Sequence, residues 1–479
     1  MFSIDRASPV PLAVQIEQQV IRLLQRGQLA SGVRLPSIRH LAQRLSVSPN
    51  TVVNAYDRLV ADGHVEARGT AGYFAAATGS VQTDVASLLE AGVEQDAIWL
   101  VQQANDLPPG MLQASSGALP ANWLQDVAPA SVLQRAFASL PGGMGSRCPP
   151  QGWMPLRERL ALMLRGQGIA VDASRIMTTT GATQAIDLIC RAYLKPGDAV
   201  VVEDPGYHLL AARLRESSIR IVGVPRLPDG PDLARLEQAL VEHRPRLMFL
   251  QGSLHNPTGW TASPGNLHRV LSLAERHGVL IAEDDVYGHL VPGLRSSLAQ
   301  MSGLAQVIYF STFCKVLSPA LRVGYVAAEP SLLKPLLRQK IMSVMSGSAL
   351  MEAVIAELLA AGRVRKHLER LQARLAGARS ASLRVLEDVG LRFERPAQGG
   401  MFLWGRLPDG VAVEPLVKDA WQQGILLAGG ATFGSEATSS ASLRFNVVYA
   451  QNVQLSRYLK ERFALMERTR SSLARIAQG

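Results

Sequence analysis

Five polar side chains of different chemistry follow one another through the second half of the chain: Asn256, Asp284, Tyr287, Lys315 and Arg322. A lysine amine can condense with an aldehyde and hold it covalently. A carboxylate beside a pyridine nitrogen favours the protonated ring. Tyrosine and asparagine can donate hydrogen bonds to a phenolic oxygen, and arginine binds phosphate through two N–H groups. These are the groups that pyridoxal 5'-phosphate (PLP) needs, so we predict that Lys315 forms its Schiff base and Asp284 its pyridinium pair.

A phosphate cradle is predicted where a strand leads into a helix, at residues 179–185. The N–H groups of Ala182 and Thr183 begin that helix, and helix starts bind anions. Arg322 adds a bidentate cation, Thr312 adds a hydroxyl group, and Tyr207 is expected to stack on the cofactor ring. Taken singly, each residue also fits a solvated charge or a turn. Their order and spacing favour the cofactor site.

The elements that must position these groups form a repeating pattern. Apolar strand candidates alternate with stretches of helical period, such as 182–193 and 231–242; the strand candidates are 199–203, 219–224, 246–251, 279–283, 307–311 and 323–328. Continuous apolar strands with helical crossovers indicate an α/β fold, with a mostly parallel sheet covered on both faces. Ligands of such sheets lie at the carboxyl ends of the strands. Asp284 and Lys315 each follow a strand candidate.

The run from Ser311 to Tyr325 resembles the cofactor-lysine segment of fold-type I PLP-dependent aminotransferases, and the resemblance covers about residues 112–470. It implies a large and a small domain, and a homodimer that assembles its sites between subunits. It also implies that Arg444 binds the carboxylate of a substrate or effector. Two positions depart from that pattern. No tyrosine stands near Arg147, where the family commonly has one, and Cys314 replaces the usual serine, which makes efficient transamination less assured.

The N-terminal segment has the pattern of a small helical DNA-binding module. Apolar residues at helical period run through 12–24, and Ser37 can cap a short helix after Pro36. Ser48 then precedes Pro49, a favoured pair at the start of a helix. Small polar groups follow at the leading end, where a recognition helix meets bases. A hairpin over 64–74 would form a wing. The alternative is a helical adaptor with solvated polar faces.

The same segment, roughly residues 1–76, resembles the winged helix-turn-helix of GntR-type regulators. The resemblance makes six residues candidates for DNA contact: Arg34, Arg39, Ser48, Asn50, Thr51 and Arg68. Of these, Arg34 is expected to contact a phosphate rather than a base. One departure is Pro49, where that family usually has an arginine, so its half-site sequence is not carried over.

Residues 77–115 lack sustained alternation and are predicted to link the two parts. One short helix is expected near 96–103, and Trp99 and Leu100 are expected to dock on the body. The predicted domains are therefore 1–76 (winged helix-turn-helix), 77–115 (linker), 116–330 (large PLP-binding domain) and 331–479 (small C-terminal domain).

Composition sets broader limits. A net charge of +10 and a pI near 9.8 permit contact with DNA without proving it. Three dispersed cysteines indicate a reducing compartment, with neither a disulfide framework nor a structural metal. No apolar run is long enough to cross a bilayer, and the N-terminus has no export signal. We therefore expect a cytoplasmic protein without a membrane partner.

A GntR-type module followed by a linker and an aminotransferase-like body resembles the MocR family of bacterial regulators, along essentially the whole chain. The resemblance implies a homodimeric transcription factor that binds promoter DNA and senses PLP or an amino-compound effector. The alternative is an active PLP-dependent aminotransferase whose DNA-binding domain regulates its own gene. A third is a DNA-binding protein that keeps the cofactor for structure only. We favour the regulator, because an enzyme gains nothing from a DNA reader. The effector, the operator and the sign of regulation are left open.

Overall fold

The computed structural model separates into two compact units, Met1–Val93 and Glu94–Gly479. The residues that it describes are 4–6, 10–25, 29–30, 32–76, 97–106, 108, 110–434 and 441–478. The first half of the predicted linker, residues 77–96, lies outside the described residues.

The described part of the N-terminal unit contains three α-helices and a two-stranded hairpin. The helices are Leu12–Gln25, Ile38–Leu45 and Pro49–Ala61, and the strands β1 (Val65–Ala67) and β2 (Tyr73–Ala75) pair antiparallel. The predicted caps are confirmed: the side chain of Ser37 accepts a hydrogen bond from the N–H of His40, and that of Ser48 from the N–H of Thr51. Each cap satisfies an N–H that the first turn would leave unpaired.

A single apolar cluster holds these elements together. Ile16, Leu41, Val52 and Tyr56, from all three helices, are fully buried in it. The hydroxyl of Tyr56 donates to the carbonyl of Pro36 at 2.9 Å, so the one polar atom of this buried ring is satisfied. The core therefore fixes the third helix, Pro49–Ala61, against the other two.

The C-terminal unit is built on an eight-stranded sheet in the order β3-β10-β9-β8-β7-β4-β5-β6. Its strands are β3 (Ile176–Thr179), β4 (Ala199–Asp204), β5 (Arg220–Leu227), β6 (Gly230–Pro231), β7 (Leu247–Leu250), β8 (Leu280–Asp284), β9 (Val307–Thr312) and β10 (Gly324–Ala327). Strands β5, β4, β7, β8 and β9 run parallel, which confirms the predicted mostly parallel sheet. Strand β10 is antiparallel to both of its neighbours, and β6 is antiparallel to β5.

Helices cover both faces of this sheet. Successive residues of β9 point to opposite sides, so Val307 and Tyr309 enter one apolar cluster while Ile308 and Phe310 enter another. The α-helices described in this unit are Ala97–Asn105, Ala121–Leu124, Ala130–Ala138, Met154–Gly166, Ala182–Tyr193, His208–Glu216, Leu233–His243, Pro264–His277, Leu298–Ser302, Pro330–Val344, Ala349–Ala360, Arg363–Asp388, Val413–Gln422 and Val453–Gln478. No helix in the described part of the chain is both long and apolar enough to cross a membrane.

A smaller sheet carries the C-terminal part of the site. Its strands are β11 (Phe402–Arg406), β12 (Ala428–Gly429) and β13 (Ser442–Asn446), antiparallel in the order β11-β13-β12. Residues 112–116, at the end of the predicted linker, run beside it through backbone hydrogen bonds. The N–H of Leu426 donates to the carbonyl of Leu112 at 2.9 Å, and the N–H of Asn446 donates to the carbonyl of Ala114 at 2.7 Å.

The short helix expected in the linker extends over Ala97–Asn105, and we call it the linker helix. The Trp99 ring lies edge-on to the Trp421 ring, with centroids 5.1 Å apart. Leu100 is buried against Leu426, Ala428 and Phe433. The predicted docking of Trp99 and Leu100 on the body is thus confirmed. The domain boundaries after residues 76, 115 and 330 stay predictions.

Candidate functional site

One cavity of about 490 Å³ opens at the carboxyl ends of the parallel strands. It brings together every site residue predicted for the body of the chain: Tyr207, Ala182, Thr183, Asn256, Asp284, Tyr287, Thr312, Lys315, Arg322 and Arg444. These residues come from both sheets and from positions more than 250 residues apart. Considered alone, each of them also fits a solvated charge or a turn. Their convergence on one cavity favours the interpretation as a cofactor site.

Lys315 enters the cavity three residues after β9 ends. Its Nζ donates a hydrogen bond to the carbonyl of Gly117 at 2.9 Å. Burial, with a further contribution from the Arg444 charge, lowers the pKa of Lys315 to about 8. A larger fraction of the amine is therefore unprotonated near neutral pH than for an exposed lysine, and only that form is nucleophilic.

Three acidic residues in a row at the end of β8 have three different environments. Glu283 accepts hydrogen bonds from two backbone N–H groups at 2.8 Å each. Asp285 forms an ion pair with Arg295 and accepts a hydrogen bond from the Tyr309 hydroxyl at 2.5 Å. Asp284 accepts one backbone N–H at 3.0 Å and lines the cavity. Burial raises the pKa of Asp284 to about 7. A cation placed against it from the cavity would stabilise its ionised form.

Arg444, on β13, is held as a fixed donor at one end of the cavity. Its Nη1 donates to the Asn256 side-chain oxygen at 2.9 Å, and its Nη2 donates to the carbonyl of Ser115 at 2.6 Å. Its guanidinium lies between two rings, 4.7 Å from the centroid of Phe402 and 4.6 Å from that of Phe433. Burial lowers the pKa of Arg444 to about 10. Among the residues that the structure describes, its buried Nε has no hydrogen-bond partner, so the guanidinium retains capacity to bind an anion.

The residues predicted to bind a phosphate line another part of the same cavity. Ala182 begins the helix Ala182–Tyr193, directly after Gly181 at φ +80°, a conformation that favours glycine. A Cβ at Gly181 would also lie 3.0 Å from Nη2 of Arg322. The Thr312 hydroxyl accepts the N–H of Cys314 at 3.2 Å, and Arg322 Nη1 lies 3.7 Å from the Cys314 sulfur. Helix N–H groups, a hydroxyl and a guanidinium thus share one corner.

Tyr207 and Tyr287 add rings to the cavity wall. Burial raises the pKa of Tyr207 to about 12, and that of Tyr287 above its usual range, so both hydroxyls stay protonated at neutral pH. The side chain of Tyr207 also hydrogen-bonds that of Thr183. The Tyr287 ring meets Phe402 edge-on at 5.4 Å between centroids. Both tyrosines can therefore donate a hydrogen bond while they pack against a ligand.

The DNA candidates lie at two places on the N-terminal unit. Ser48, Asn50 and Thr51 stand at the start of the helix Pro49–Ala61, where the Ser48 and Thr51 hydroxyl oxygens are 2.8 Å apart. Arg68 lies on the hairpin, in an ion pair with Glu66 at 2.9 Å. These side chains are exposed, apart from Thr51, which is half-buried.

The two remaining arginines complete this surface. Arg34 pairs with Phe74 of the hairpin through a backbone bridge, so it lies beside the wing that carries Arg68. The Arg68 guanidinium also lies over the ring of Phe74, with its Cζ 4.8 Å from the ring centroid. Arg39 is exposed on the helix Ile38–Leu45. Both arginines are exposed.

Comparison with known proteins decides the family. Residues 111–460 match the family described as aminotransferase class I and II. The chain belongs to that family. Residues 12–74 match a second family, the bacterial regulatory proteins of the gntR family. This aminotransferase-family chain therefore carries a GntR-type DNA-binding domain in front of its aminotransferase-like domain, and the fold-type I architecture predicted from the Lys315 segment is confirmed.

Its relatives include proteins with the same two parts. An uncharacterized HTH-type transcriptional regulator of Bacillus subtilis, YisV, is 27% identical over 92% of this chain and 93% of its own length. The probable rhizopine catabolism regulatory protein MocR of Rhizobium meliloti is 27% identical over 78% of this chain and 76% of its own length. The chain thus has the architecture of the MocR-type regulators, as its sequence predicts.

A solved relative shows the cofactor chemistry of the family. The α-aminoadipate aminotransferase LysN of Thermus thermophilus is 28% identical to this chain, with a TM-score of 0.67 over 80% of this chain and 98% of that protein. Its crystal structure contains N-(5'-phosphopyridoxyl)-L-leucine, a PLP derivative. The family depends on PLP, which confirms the predicted cofactor. The residues present fit it: a buried carboxylate, an amine of lowered pKa and a phosphate corner line one cavity.

Several residues of the site were not predicted from the sequence. Gln251 accepts the N–H of Asn256 with its side-chain oxygen and hydrogen-bonds Asp284. The buried Asn446 donates to the carbonyls of Ser116 and Ala118, at 2.9 Å each. A polar residue directly after an apolar strand was the available signal for Gln251. No sequence signal pointed to the backbone of 115–118, because a carbonyl is common to every residue.

Proposed function

We propose that this chain is a transcriptional regulator that binds promoter DNA as a homodimer and senses PLP, or an amino compound bound with it, in the body. The observation that carries the proposal is the convergence of all the predicted cofactor residues on one cavity, in a chain that also has a GntR-type domain. Because it acts on DNA, we place it in the cytoplasm.

Each cofactor group has a residue to meet it. Lys315 would supply the amine, and Asp284 would pair with the pyridine nitrogen. Tyr287 and Asn256 are assigned to the phenolic oxygen, and Tyr207 would pack on the ring. The phosphate is assigned to the N–H groups of Ala182 and Thr183, the Thr312 hydroxyl and the Arg322 guanidinium. When bound, PLP supplies an electrophilic carbon for primary amines.

The protein's own groups then select and orient an effector. Arg444 binds the effector carboxylate through a guanidinium already oriented by Asn256 and the Ser115 carbonyl. The rings of Phe402 and Phe433 keep water from both faces of that guanidinium, which strengthens its interaction with an anion. Lys315 takes or gives the proton of its own amine, because its lowered pKa lies close to neutrality.

DNA binding is assigned to the N-terminal unit. Asn50 and Thr51, at the start of the helix Pro49–Ala61, are assigned to base edges, with Ser48 beside them. Arg39 is also assigned to the bases, and Arg34 and Arg68 to the phosphate backbone. In a homodimer, an effector changes regulation only if it binds one arrangement of the two readers better than another.

A second function is favoured by a specific observation: Lys315, Asp284 and Arg444 are all in place in one cavity, and LysN is an aminotransferase. The chain would then be a PLP-dependent aminotransferase with an autoregulatory DNA-binding domain. The two candidates differ in turnover. An aminotransferase must release a keto acid and accept a second one, whereas a sensor can stop once its effector is bound.

The test is a binding titration of the full-length chain against a labelled DNA fragment from upstream of its own gene. We expect PLP, or PLP with an amino acid, to change the affinity or the footprint. The regulator proposal is wrong if DNA binding is the same with and without PLP and amines. Steady keto-acid production from a supplied amino acid would favour the aminotransferase instead.

A further inference from the structure

The side chain of Gln251 hydrogen-bonds two residues that are assigned to different groups of the cofactor. Gln251 directly follows β7 and is 5% exposed. Its side-chain oxygen accepts the backbone N–H of Asn256, a group that can only donate. This bond fixes which way the amide points, so its NH₂ group is the one that meets the Asp284 carboxylate. Gln251 is thus a donor to Asp284.

The backbone of Gln251 is held by a separate pair of contacts. Its N–H donates to Oε2 of Glu203 at 2.7 Å, and its carbonyl accepts a hydrogen bond from Nη1 of Arg226 at 3.1 Å. Glu203 and Arg226 also form a buried ion pair with each other. None of these contacts uses the side chain of Gln251. A substitution of that side chain therefore leaves the end of β7 with its own supports.

Hydrogen bonds favour the ionised form of Asp284 against its buried surroundings. Burial raises the pKa of Asp284 to about 7, and the negative charges of Asp285 and Glu203 act in the same direction. The N–H of Val286, which donates at 3.0 Å, and the side chain of Gln251 act in the opposite direction. A donor to a carboxylate stabilises its charged form. Loss of the Gln251 donor would therefore shift Asp284 towards its protonated form near neutral pH.

The charge of Asp284 matters for the group that it is assigned to hold. A carboxylate stabilises a protonated pyridine nitrogen, whereas a neutral carboxyl leaves that nitrogen without a counterion. The other partner of Gln251 leads to the carboxylate-binding arginine, because the side-chain oxygen of Asn256 accepts Nη1 of Arg444 at 2.9 Å. One buried amide thus connects the residue assigned to the ring nitrogen with the residue that orients Arg444.

We propose that Gln251 is a positioning residue of the cofactor site: its NH₂ group keeps Asp284 ionised and oriented, and its oxygen holds the loop that carries Asn256. This inference rests on the proposed function, which assigns Asp284 to the pyridine nitrogen. It requires no contact between Gln251 and the cofactor, and every residue that it uses belongs to the same chain.

The experiment is a pH titration of the absorbance of PLP bound to the full-length chain. When both are protonated, the ring nitrogen and the Schiff-base nitrogen on Lys315 carry charges of the same sign and repel each other. Gln251→Leu removes the donor to Asp284 and should lower the charge on the ring nitrogen. The Schiff-base nitrogen then keeps its proton to higher pH, so we expect the titration midpoint to rise by about half a pH unit or more.

Gln306→Leu is the matched control. Gln306 is half-buried, stands just before β9 at the end of that strand away from Lys315, and donates to the carbonyl of Leu271 at 3.4 Å. It removes a buried glutamine hydrogen bond outside the cavity, and the midpoint should stay at the wild-type value. Thermal unfolding of the cofactor-free variants measures any general loss of stability separately from the midpoint.

A double-mutant cycle tests whether Gln251 acts through Asp284. Asp284→Asn keeps the shape of the side chain and removes its charge. In that background Gln251→Leu should add nothing to the shift of the midpoint, because the group on which it acts is already neutral. Equal further shifts in both backgrounds would overturn the inference. An unshifted midpoint in Gln251→Leu would overturn it as well, whether or not Asp284→Asn binds PLP.

The outcomes separate this inference from the proposed function. If the wild-type chain binds no PLP, the proposed function fails, and the inference fails with it. If the wild-type chain binds PLP and its DNA binding responds to PLP, while Gln251→Leu titrates like the wild-type chain, the inference alone is wrong.

Discussion

The two units place their candidate residues in opposite environments. Arg39, on the N-terminal unit, is exposed, and the neighbouring candidates are positioned by local caps such as Ser48. Arg444, on the C-terminal unit, is 2% exposed and is positioned by Asn256 and Ser115, which lie 188 and 329 residues away along the chain. The exposed candidates contact DNA, a large and hydrated polyanion. A small ligand that enters the cavity loses its water of hydration. Substitutions in the body should therefore change binding and folding together, and those in the reader should change binding alone.

The largest effect is expected for Lys315→Ala. Removal of the amine should abolish covalent attachment of PLP, because no other group assigned to the cofactor is a primary amine. Mass spectrometry after borohydride reduction checks this by the loss of the adduct. Lys195→Ala, which removes an exposed lysine, is the control and should retain it. A fixed adduct at another lysine would contradict the assignment.

Arg444→Ala should weaken binding of an amino acid to the loaded chain by about 100-fold, since it leaves a buried carboxylate without its charged partner. Its folding should suffer as well, because Asn256 and the Ser115 carbonyl lose their donor. Calorimetry and thermal unfolding measure the two effects. Arg406→Ala, at an exposed position of β11, is expected to change neither by a comparable amount. Equal effects of the two variants would remove Arg444 from the site.

A pH effect should accompany the buried amine. The pKa of Lys315 is lowered to about 8, so its unprotonated fraction rises about tenfold per pH unit below that value and levels off above it. The rate of covalent PLP uptake should follow this curve. Folding has the same sign, because the unfolded chain binds more protons between pH 8 and the ordinary lysine pKa, so stability contributed by this group rises with pH there. An uptake rate that is flat from pH 6.5 to 8 would contradict the prediction.

A smaller effect is expected for Arg39→Ala. Loss of one base-contacting arginine should weaken promoter binding by about tenfold, with unchanged PLP absorbance. Arg22→Ala, at an exposed position of the helix Leu12–Gln25, removes the same charge and is the control. Anisotropy of labelled DNA at two salt concentrations separates a base contact from general charge. Equal weakening by both variants would mean that Arg39 acts only through net charge.

Much of the body could be predicted because its local patterns agree with its tertiary structure. Buried parallel strands are continuously apolar, and the polar residues Asp284 and Lys315, at or just after the ends of β8 and β9, line the cavity. Strands β11 and β12 were not predicted, since Gly405 and the two-residue length of β12 give no alternating pattern. The direction of β10 could not be predicted either, because it has the apolar composition of the sheet's parallel strands and yet runs antiparallel to both of its neighbours.

The site divides in the same way. Lys315 and Asp284 were predictable because their chemistry is specific to a cofactor. The part played by Ser115, Gly117 and the linker helix was not, because it depends on backbone carbonyls and on packing between distant segments. The spacing of residues in the sequence indicates which groups are reactive. It does not indicate which other residues the fold brings into contact with them.

The bonds between residues 112–118 and β13 have a consequence for biosynthesis. Ser116 accepts a hydrogen bond from Asn446, 330 positions later in the chain, so its partner emerges from the ribosome long after it does. The described core residues of the N-terminal unit all lie within the first 76 residues, and they can pack while translation continues. The cavity is completed only after residue 446 has been made. A nascent or prematurely terminated chain would thus hold a finished DNA reader with no means of sensing a small molecule.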